Sequence, residues 1–325
     1  MGSVGRSLPG LAVLAVLAAL ARGIGAVTPV NPLVAAVASG VVVAMTLSLP
    51  QWAEPGLDRH KLLLETGIVL LGAQLTLGQL ATTGPVVIAL AAAVVVTGVV
   101  FVELVGRRAA IEPKTRSLLA AGASVCGVSA VLAVAGSIDG DEADISYAAG
   151  TVLLFDAVTL VAFPVAGTAL GVPDRAFGVW AGLSLFSTGP AAAVGFAVSE
   201  TAGQWATVTK LVRNTFIGVL AVAYAVHYAG DGGRADVTAV WSRFPKFLVG
   251  FLVVAVAVNA GVVDAATQAA VGRVGDWLFT LAFVGLGVEL NPRRLAATGV
   301  RPIAVVVAHL LVVSLATLAA VTLLI

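Results

Sequence analysis

The sequence predicts an all-α polytopic membrane protein, and three observations support this prediction. Hydrophobic residues make up 59% of the 325 residues and charged residues only 11%, with a mean hydropathy of +1.06, whereas a soluble domain carries about 25% charge. Apolar runs of about 18 or more residues, long enough to cross a bilayer, recur along the whole chain. The linkers between them are short and rich in Pro, Gly or charge. We therefore interpret residues 1–325 as a single integral membrane domain.

The apolar runs predict about eleven transmembrane helices. They lie near residues 8–25, 30–48, 61–82, 84–106, 116–138, 143–170, 176–198, 202–228, 245–262, 274–291 and 301–324. The first run follows Arg6 and resembles a signal peptide. A retained first helix fits the distribution of charge better and is our expectation.

Basic residues are distributed unevenly between the two ends of these helices. If the N-terminus is cytoplasmic, fourteen of the eighteen Lys and Arg residues fall on the cytoplasmic side, and Arg22 and Arg273 fall on the other. This asymmetry predicts a multi-pass protein of the cell membrane with its N-terminus in the cytoplasm and its C-terminus outside. The net charge of +1 does not indicate nucleic acid as a partner. One cysteine and three scattered histidines predict no metal site and no cofactor.

Small and polar residues interrupt the apolar stretch from Leu118 to Gly136 at its middle. They are Ser124, Cys126, Gly127 and Ser129. At this depth an irregular backbone persists only where it lines a cavity or is buried in protein, an arrangement that transporters use to bring helix ends to a substrate. The alternative is an intact helix that packs closely through its small residues.

A second interruption is predicted in the seventh apolar run. Ser187, Thr188 and Gly189 precede Pro190, a pattern typical of a helix N-terminus with proline at the first helical position. The alternative is a simple proline kink. The two interruptions also resemble each other in sequence, since Ala121–Val134 aligns with Ala181–Val194.

Another internal similarity predicts inverted-topology repeats. Gly72–Gly84 aligns with Gly287–Gly299 at a spacing of 215 residues, with six identities in thirteen positions. Seven predicted helices separate the two copies, so they would run in opposite directions through the membrane, as in many secondary transporters. Chance agreement in a sequence rich in Ala, Gly and Leu is the alternative.

Two cations, Lys210 and Arg213, lie within the eighth apolar run, on one helix face and beside Asn214. Charges at this depth are costly and usually mark a pathway or a partner. That partner could be a carboxylate, with Asp156 and Glu103 as candidates, or a transient anion. His309 lies in the last apolar run, where we expect it to be hydrogen-bonded to a neighbouring helix.

Several runs resemble the YeiH-type sulfate exporter family, a relative of the cation:proton antiporters and bile-acid symporters. They are Gly67–Leu77, Ala120–Val131, Lys210–Asn214 and Leu281–Leu290. The resemblance implies a transporter fold with inverted repeats and broken core helices, and suggests export of a small anion. The sequence departs from the family pattern around Phe186, Ser187 and Pro190, where relatives tend to carry His, an acidic residue and Gln, so the ligand or the coupling can differ.

From these observations we expect a secondary transporter that exports a small sulfate-like or carboxylate anion. The expected binding residues are Ser124, Cys126, Gly127, Ser129, Ser187, Thr188, Lys210, Arg213 and Asn214. Asp156 is the candidate coupling residue, and the expected partners are the anion, the lipid bilayer and a second copy of the chain in a homodimer. A cation:proton antiporter is the first alternative. An intramembrane enzyme is a weaker one, because the sequence has no paired intramembrane aspartates and no His-Glu-x-x-His motif.

Overall fold

The computed structural model of the chain describes residues 3–28, 30–47, 50–75, 77–229, 245–290 and 300–325. Every regular element within these ranges is helical. The α-helices are α1 (Ser3–Val27), α2 (Pro32–Thr46), α3 (Glu54–Leu57), α4 (His60–Leu71), α5 (Leu77–Arg108), α6 (Pro113–Ala121), α7 (Val128–Ile138), α8 (Glu142–Ala169), α9 (Asp174–Ser184), α10 (Thr188–Val198), α11 (Glu200–Asn214), α12 (Phe216–Ala229), α13 (Lys246–Asn259), α14 (Ala265–Glu289) and α15 (Val300–Leu324).

Six helical stretches in the described residues are long and apolar enough to cross a membrane. They are Ser7–Val27, Ala81–Arg108, Glu142–Leu170, Glu200–Tyr228, Ala265–Glu289 and Val300–Leu324. Four apolar helices are shorter, namely Pro32–Thr46, Val128–Ile138, Thr188–Val198 and Lys246–Asn259. The prediction of a helical membrane protein is confirmed, while the number of eleven spans stays a prediction.

The predicted boundary between the third and fourth spans is wrong. We placed it at residue 83, before Pro85, but α5 continues through Pro85 as a single helix of 32 residues. The interruption lies earlier, where α4 ends at Leu71 and one 3₁₀ turn follows over Gly72–Gln74. Membrane helices tolerate an internal proline because neighbouring groups satisfy the backbone carbonyl that it leaves free.

The chain forms two compact units, each built from segments that are distant in sequence. The first contains residues 1–82 and 246–293, and the second contains residues 83–245 and 294–325. In the first unit α2 packs against α14 at two facing glycines. A Cβ atom on Gly40 would lie 2.1 Å from the Val284 carbonyl oxygen, and one on Gly287 would lie 2.1 Å from that of Val37. Only glycine allows the two backbones to approach this closely.

An ion-pair cluster joins the end of α14 to the start of α4 in the first unit. The Glu289 carboxylate accepts hydrogen bonds from Lys61 Nζ at 2.9 Å and lies 3.0 Å from His60 Nε2. The other ring nitrogen of His60 lies 2.8 Å from the Leu57 carbonyl oxygen. The His60 ring thus lies between two oxygen atoms that belong to different elements, α3 and α14.

The second unit holds both interruptions predicted from the sequence. Helix α11 packs against α9 and α10, and its buried residues include Trp205, Lys210 and Arg213. Small residues on α9 permit this contact, since a Cβ atom on Gly178 would lie 2.4 Å from the Ala202 carbonyl oxygen. The helix that carries the two cations is therefore enclosed by protein at the level of the breaks.

Two predictions fall partly outside the described residues. The second copy of the proposed inverted repeat, Gly287–Gly299, extends into residues 291–299, which the structure does not describe. The same holds for four basic residues used to infer orientation, Arg234, Arg243, Arg293 and Arg294. Inverted repeats and the orientation of the termini stay predictions.

Candidate functional site

The first predicted interruption is a break between α6 and α7. Residues Gly122–Cys126 form one π-helical turn, closed by a hydrogen bond of 2.9 Å from Gly127 N–H to the Gly122 carbonyl. Gly127 then takes φ 68° and ψ −138°, a conformation that is essentially restricted to glycine. Helix α7 starts afresh at Val128. The predicted break at Cys126–Ser129 is confirmed.

The second predicted interruption is a break between α9 and α10. Helix α9 ends at Ser184, Leu185 and Ser187 are extended with ψ of 153° and 155°, and α10 begins at Thr188. Pro190 is thus the third residue of α10 instead of the first. A proline is still accommodated there, because the N–H groups of a first helical turn have no partner within the helix.

The two breaks touch each other. A Cβ atom on Gly127 would lie 2.0 Å from Ser187 Oγ and 3.3 Å from Ser187 Cα. Ser187 N–H also donates to the Asp156 carboxylate, Oδ1, at 3.2 Å, and the Asn214 side-chain amide donates to Thr188 Oγ1 at 2.9 Å. Residues from α8 and α11 therefore meet the second break at the place where the first break reaches it. We call this meeting point, defined by Gly127, Asp156, Ser187, Thr188 and Asn214, the crossing.

Lys210 and Arg213 bind backbone carbonyls of both broken helices. Lys210 Nζ donates to Val125 O and Leu185 O, each at 2.7 Å. Arg213 donates to five carbonyls, at distances of 2.6–3.2 Å: Ala123, Ser124, Gly182, Leu183 and Leu185. These carbonyls belong to the C-terminal ends of the first halves, where the last carbonyls have no N–H donor within their own helix. The two cations thus cap both helix ends, where the helix dipole favours positive charge.

From the sequence we expected either a carboxylate or a transient anion as the partner of the two cations. Backbone carbonyls are a different kind of partner. Glu103, one of the two candidates, accepts instead from Arg116 Nε at 2.5 Å, Ser117 Oγ at 2.7 Å and the Tyr224 hydroxyl at 2.8 Å. The suggestion that Glu103 pairs with the two cations is wrong. Asp156, the other candidate, is fully buried and interacts with both cations electrostatically.

Several buried polar atoms at or beside the crossing have no hydrogen-bond partner in the described part of the chain. They are Ser124 Oγ, Thr209 Oγ1, Asn214 Oδ1 and both ring nitrogens of His309. The expectation that His309 is hydrogen-bonded to a neighbouring helix is therefore wrong. Buried polar groups are almost always paired, so each exception calls for an explanation such as a function or a bound molecule. No sequence pattern pointed to His309 or Thr209 as part of this region.

The structure brings most of the predicted binding residues together. Ser124, Cys126 and Gly127 are buried in or next to the first break, and Ser187 and Thr188 are half-buried in the second. Cys126 is close enough to Lys210 and Arg213 to interact with them electrostatically. Ser129 differs, because it is exposed on the first turn of α7. Within the described ranges no group of three or more His, Cys, Asp or Glu side chains could hold a metal ion.

Comparison with known proteins relates the chain to membrane proteins. Residues 9–306 match the family described as Conserved hypothetical protein 698. The chain is 27% identical to a UPF0324 membrane protein of Nitratidesulfovibrio vulgaris, over 91% of this chain and 88% of that protein. It is 29% identical to a UPF0324 membrane protein of Corynebacterium glutamicum, over 84% and 79% of the respective chains. A further UPF0324 membrane protein of N. vulgaris is 30% identical over 80% of this chain but only 48% of its own length. The comparison with solved structures finds no match.

Proposed function

The chain belongs to the Conserved hypothetical protein 698 family, and we propose that it is a secondary transporter that exports a small anion. The proposed activity is transport and not an enzymatic reaction. We place the protein in the cell membrane, with its N-terminus in the cytoplasm and its C-terminus outside, as a homodimer. The proposed ligand is sulfate-like or a small carboxylate, bound at the crossing.

One observation carries this proposal, namely the excess of formal positive charge around the crossing. Lys210 and Arg213 are fully buried there, and Asp156 is the fully buried carboxylate beside them. Two positive charges against one negative leave a formal excess of one. Buried charge is costly unless it is compensated. A bound anion would supply the missing charge.

The hydrogen-bond donors at the crossing suit an anion as well. Helices α7 and α10 both begin there, and the first N–H groups of a helix lack partners within it and carry the positive end of its dipole. Thr188 and Ser187 add hydroxyls. The Lys210 ammonium has three N–H donors, of which two bind carbonyls. Together these groups can donate to several oxygens of a sulfate or carboxylate.

Replacing Asn214 by aspartate tests the charge argument with almost no change of side-chain volume. The new carboxylate would cancel the positive excess, so we expect Asn214→Asp to lose anion binding. The measurement is thermal stability of the purified protein with sulfate or succinate, compared with chloride at equal ionic strength. At a hundredfold excess over the dissociation constant, an anion should stabilise the wild type by about 2.7 kcal/mol and the variant by close to nothing.

Gln204→Glu is the matched control, because it adds the same charge to the same helix about 15 Å before Asn214 at 1.5 Å per residue. We expect it to respond to anions like the wild type. Flux of radiolabelled sulfate and succinate into proteoliposomes completes the test. The proposal fails if the wild type transports neither anion, or if Asn214→Asp keeps the full anion-dependent stabilisation.

Asp156 supports a second candidate function, cation:proton antiport. It is fully buried, and its carboxylate accepts from Ser187 N–H at the second break, a position from which a carboxylate could exchange a proton for a cation. If the protein is an antiporter, Asp156→Asn should abolish the proton release that sodium or potassium triggers in proteoliposomes containing a pH-sensitive dye. If the anion proposal holds, neither cation should trigger proton release in the wild type.

A further inference from the structure

His309 is a buried ionisable side chain that contacts both broken helices from outside them. It lies on α15 and is fully buried. Its ring is 6.1 Å from that of Phe186 in the second break and 6.1 Å from that of Phe101 on α5. At the first break, His309 Nε2 and Ser124 Oγ both face Gly98 of α5, since a Cβ atom there would lie 2.7 Å from the nitrogen and 2.8 Å from the oxygen.

The polar atoms of this group are unsatisfied. Neither ring nitrogen of His309 has a hydrogen-bond partner in the described residues, and the same is true of Ser124 Oγ. A histidine kept for packing alone would be expected to donate its ring N–H to a neighbour, because an unsatisfied buried donor is costly. An imidazole with a free basic nitrogen can instead take up a proton when water reaches it.

Ser124 links the histidine to the capped helix end. Its hydroxyl lies beside His309 across Gly98, while its carbonyl accepts from Arg213 Nε at 3.2 Å. A proton taken up by the imidazole therefore places positive charge beside Ser124, whose carbonyl is one of those that bind Arg213. Protonation would raise the formal positive excess at the crossing from one to two, which favours a bound anion.

We infer that His309 carries a proton across the membrane in the same direction as the anion, so that export of the anion down its own gradient also moves protons outward. This inference rests on the proposed function. The ring accepts a proton from water on one side of the membrane, forming one N–H bond, and returns it to water on the other side. Because a proton and an anion each favour the binding of the other at this site, coupling follows from linkage.

Most of the other titratable or charged side chains on the elements around His309 are bound to another group or exposed. On α11, Arg213 is close enough to His309 to act on it electrostatically, and both it and Lys210 are bound to carbonyls. Cys126 lies in the π turn, Asp156 of α8 is bonded to Ser187 N–H, and Glu103 of α5 is bonded to Arg116. Five of these side chains are exposed, namely Arg107 and Arg108 of α5, Asp174 of α9, Glu142 of α8 and Arg301 of α15. Asp144 and Tyr147 lie in the first two turns of α8. Arg175 of α9 lies over the Trp205 ring.

The test measures anion uptake into proteoliposomes under an imposed pH gradient, with the membrane potential clamped by potassium and valinomycin. The probe is radiolabelled sulfate or succinate, whichever gives the larger wild-type flux. For one proton per anion, the accumulation ratio of the wild type should change by about tenfold for each pH unit. Uptake down an anion gradient should also alkalinise the medium.

We expect anion flux through His309→Gln to show no response to the pH gradient, because glutamine is polar but does not titrate. His227→Gln is the matched control, since His227 is exposed on α12 and should respond like the wild type. Unchanged tenfold accumulation in His309→Gln would overturn the inference. If that variant does not fold, the wild type decides, because anion flux without proton movement would overturn the inference as well. A wild type that transports neither anion would instead contradict the proposed function itself.

Discussion

Gly127→Ala is expected to destabilise the protein by roughly 2 to 6 kcal/mol and to abolish transport. Two effects add up at this residue. An alanine would be forced into φ 68° and ψ −138°, at a cost of about 1–3 kcal/mol for a sparsely populated backbone conformation. Its Cβ would also lie 2.0 Å from Ser187 Oγ, and overpacking of this kind costs about 1–3 kcal/mol. Thermal unfolding of the purified variant in detergent measures the loss of stability, and anion flux measures the loss of transport.

Two further variants serve as a control and as a test of the collision with Ser187. Gly136→Ala on α7 is the matched control, because nothing lies within 4 Å of its Cβ position. It should be neutral or more stable by about 0.5–1 kcal/mol, as expected for alanine in a helix interior. Gly127→Ala combined with Ser187→Gly removes the oxygen that collides and should recover part of the lost stability. Wild-type stability of Gly127→Ala alone would show that the two breaks do not meet as described.

Arg213→Met is expected to destabilise the protein by about 4 kcal/mol or more, whether or not an anion is present. Four carbonyls, those of Ala123, Ser124, Gly182 and Leu183, would lose the hydrogen bonds they accept from Arg213, and each unsatisfied buried acceptor costs about 1–3 kcal/mol. Lys210→Met should cost less, because Lys210 binds two carbonyls and Leu185 O keeps its bond to Arg213. Equilibrium unfolding in detergent gives both values.

One control variant removes an arginine charge elsewhere, and a second keeps the charge of Arg213 but changes the shape of its side chain. Arg107→Met removes an exposed arginine at the end of α5 and should leave stability unchanged. Arg213→Lys keeps the charge but lacks the planar fork that reaches several acceptors, so it should fall between the wild type and Arg213→Met. If Arg213→Met matched the wild type in anion-free buffer and lost only anion-dependent stabilisation, an anion and not the carbonyls would be the partner of Arg213.

The sequence predicted the positions of both breaks because their residues have a local physical signature. Gly127 lacks the Cβ atom that would prevent its backbone conformation, and Ser187 with Pro190 resembles the start of a helix. The alignment of Ala121–Val134 with Ala181–Val194 places Gly127 opposite Ser187, and these two residues do meet in the structure. Local signals of this kind can be read without knowledge of the tertiary fold.

The partners of the buried cations could not be predicted in the same way. Every residue carries a backbone carbonyl, so no side-chain pattern marks the ones that Lys210 and Arg213 bind. The surroundings of His309 were not predicted for a related reason, because Ser124, which also faces Gly98, and Phe186 lie far from it in sequence. The boundary at residue 83 was wrong because apolar runs alone do not show where one helix ends, and a membrane helix can continue through a proline such as Pro85.

The capping of two helix ends by one neighbouring helix limits how the second unit can move. If α11 slid away from α6 or α9, Arg213 and several buried carbonyls would lose their hydrogen-bond partners, so these three helices should travel as one rigid body. Hinges are then expected outside this body. One candidate is Thr215, which separates α11 from α12 and whose N–H bonds to Val212 O at 3.2 Å. The hydrogen bonds that stabilise the breaks are thus expected to keep α6, α9 and α11 together in any change of shape of the second unit.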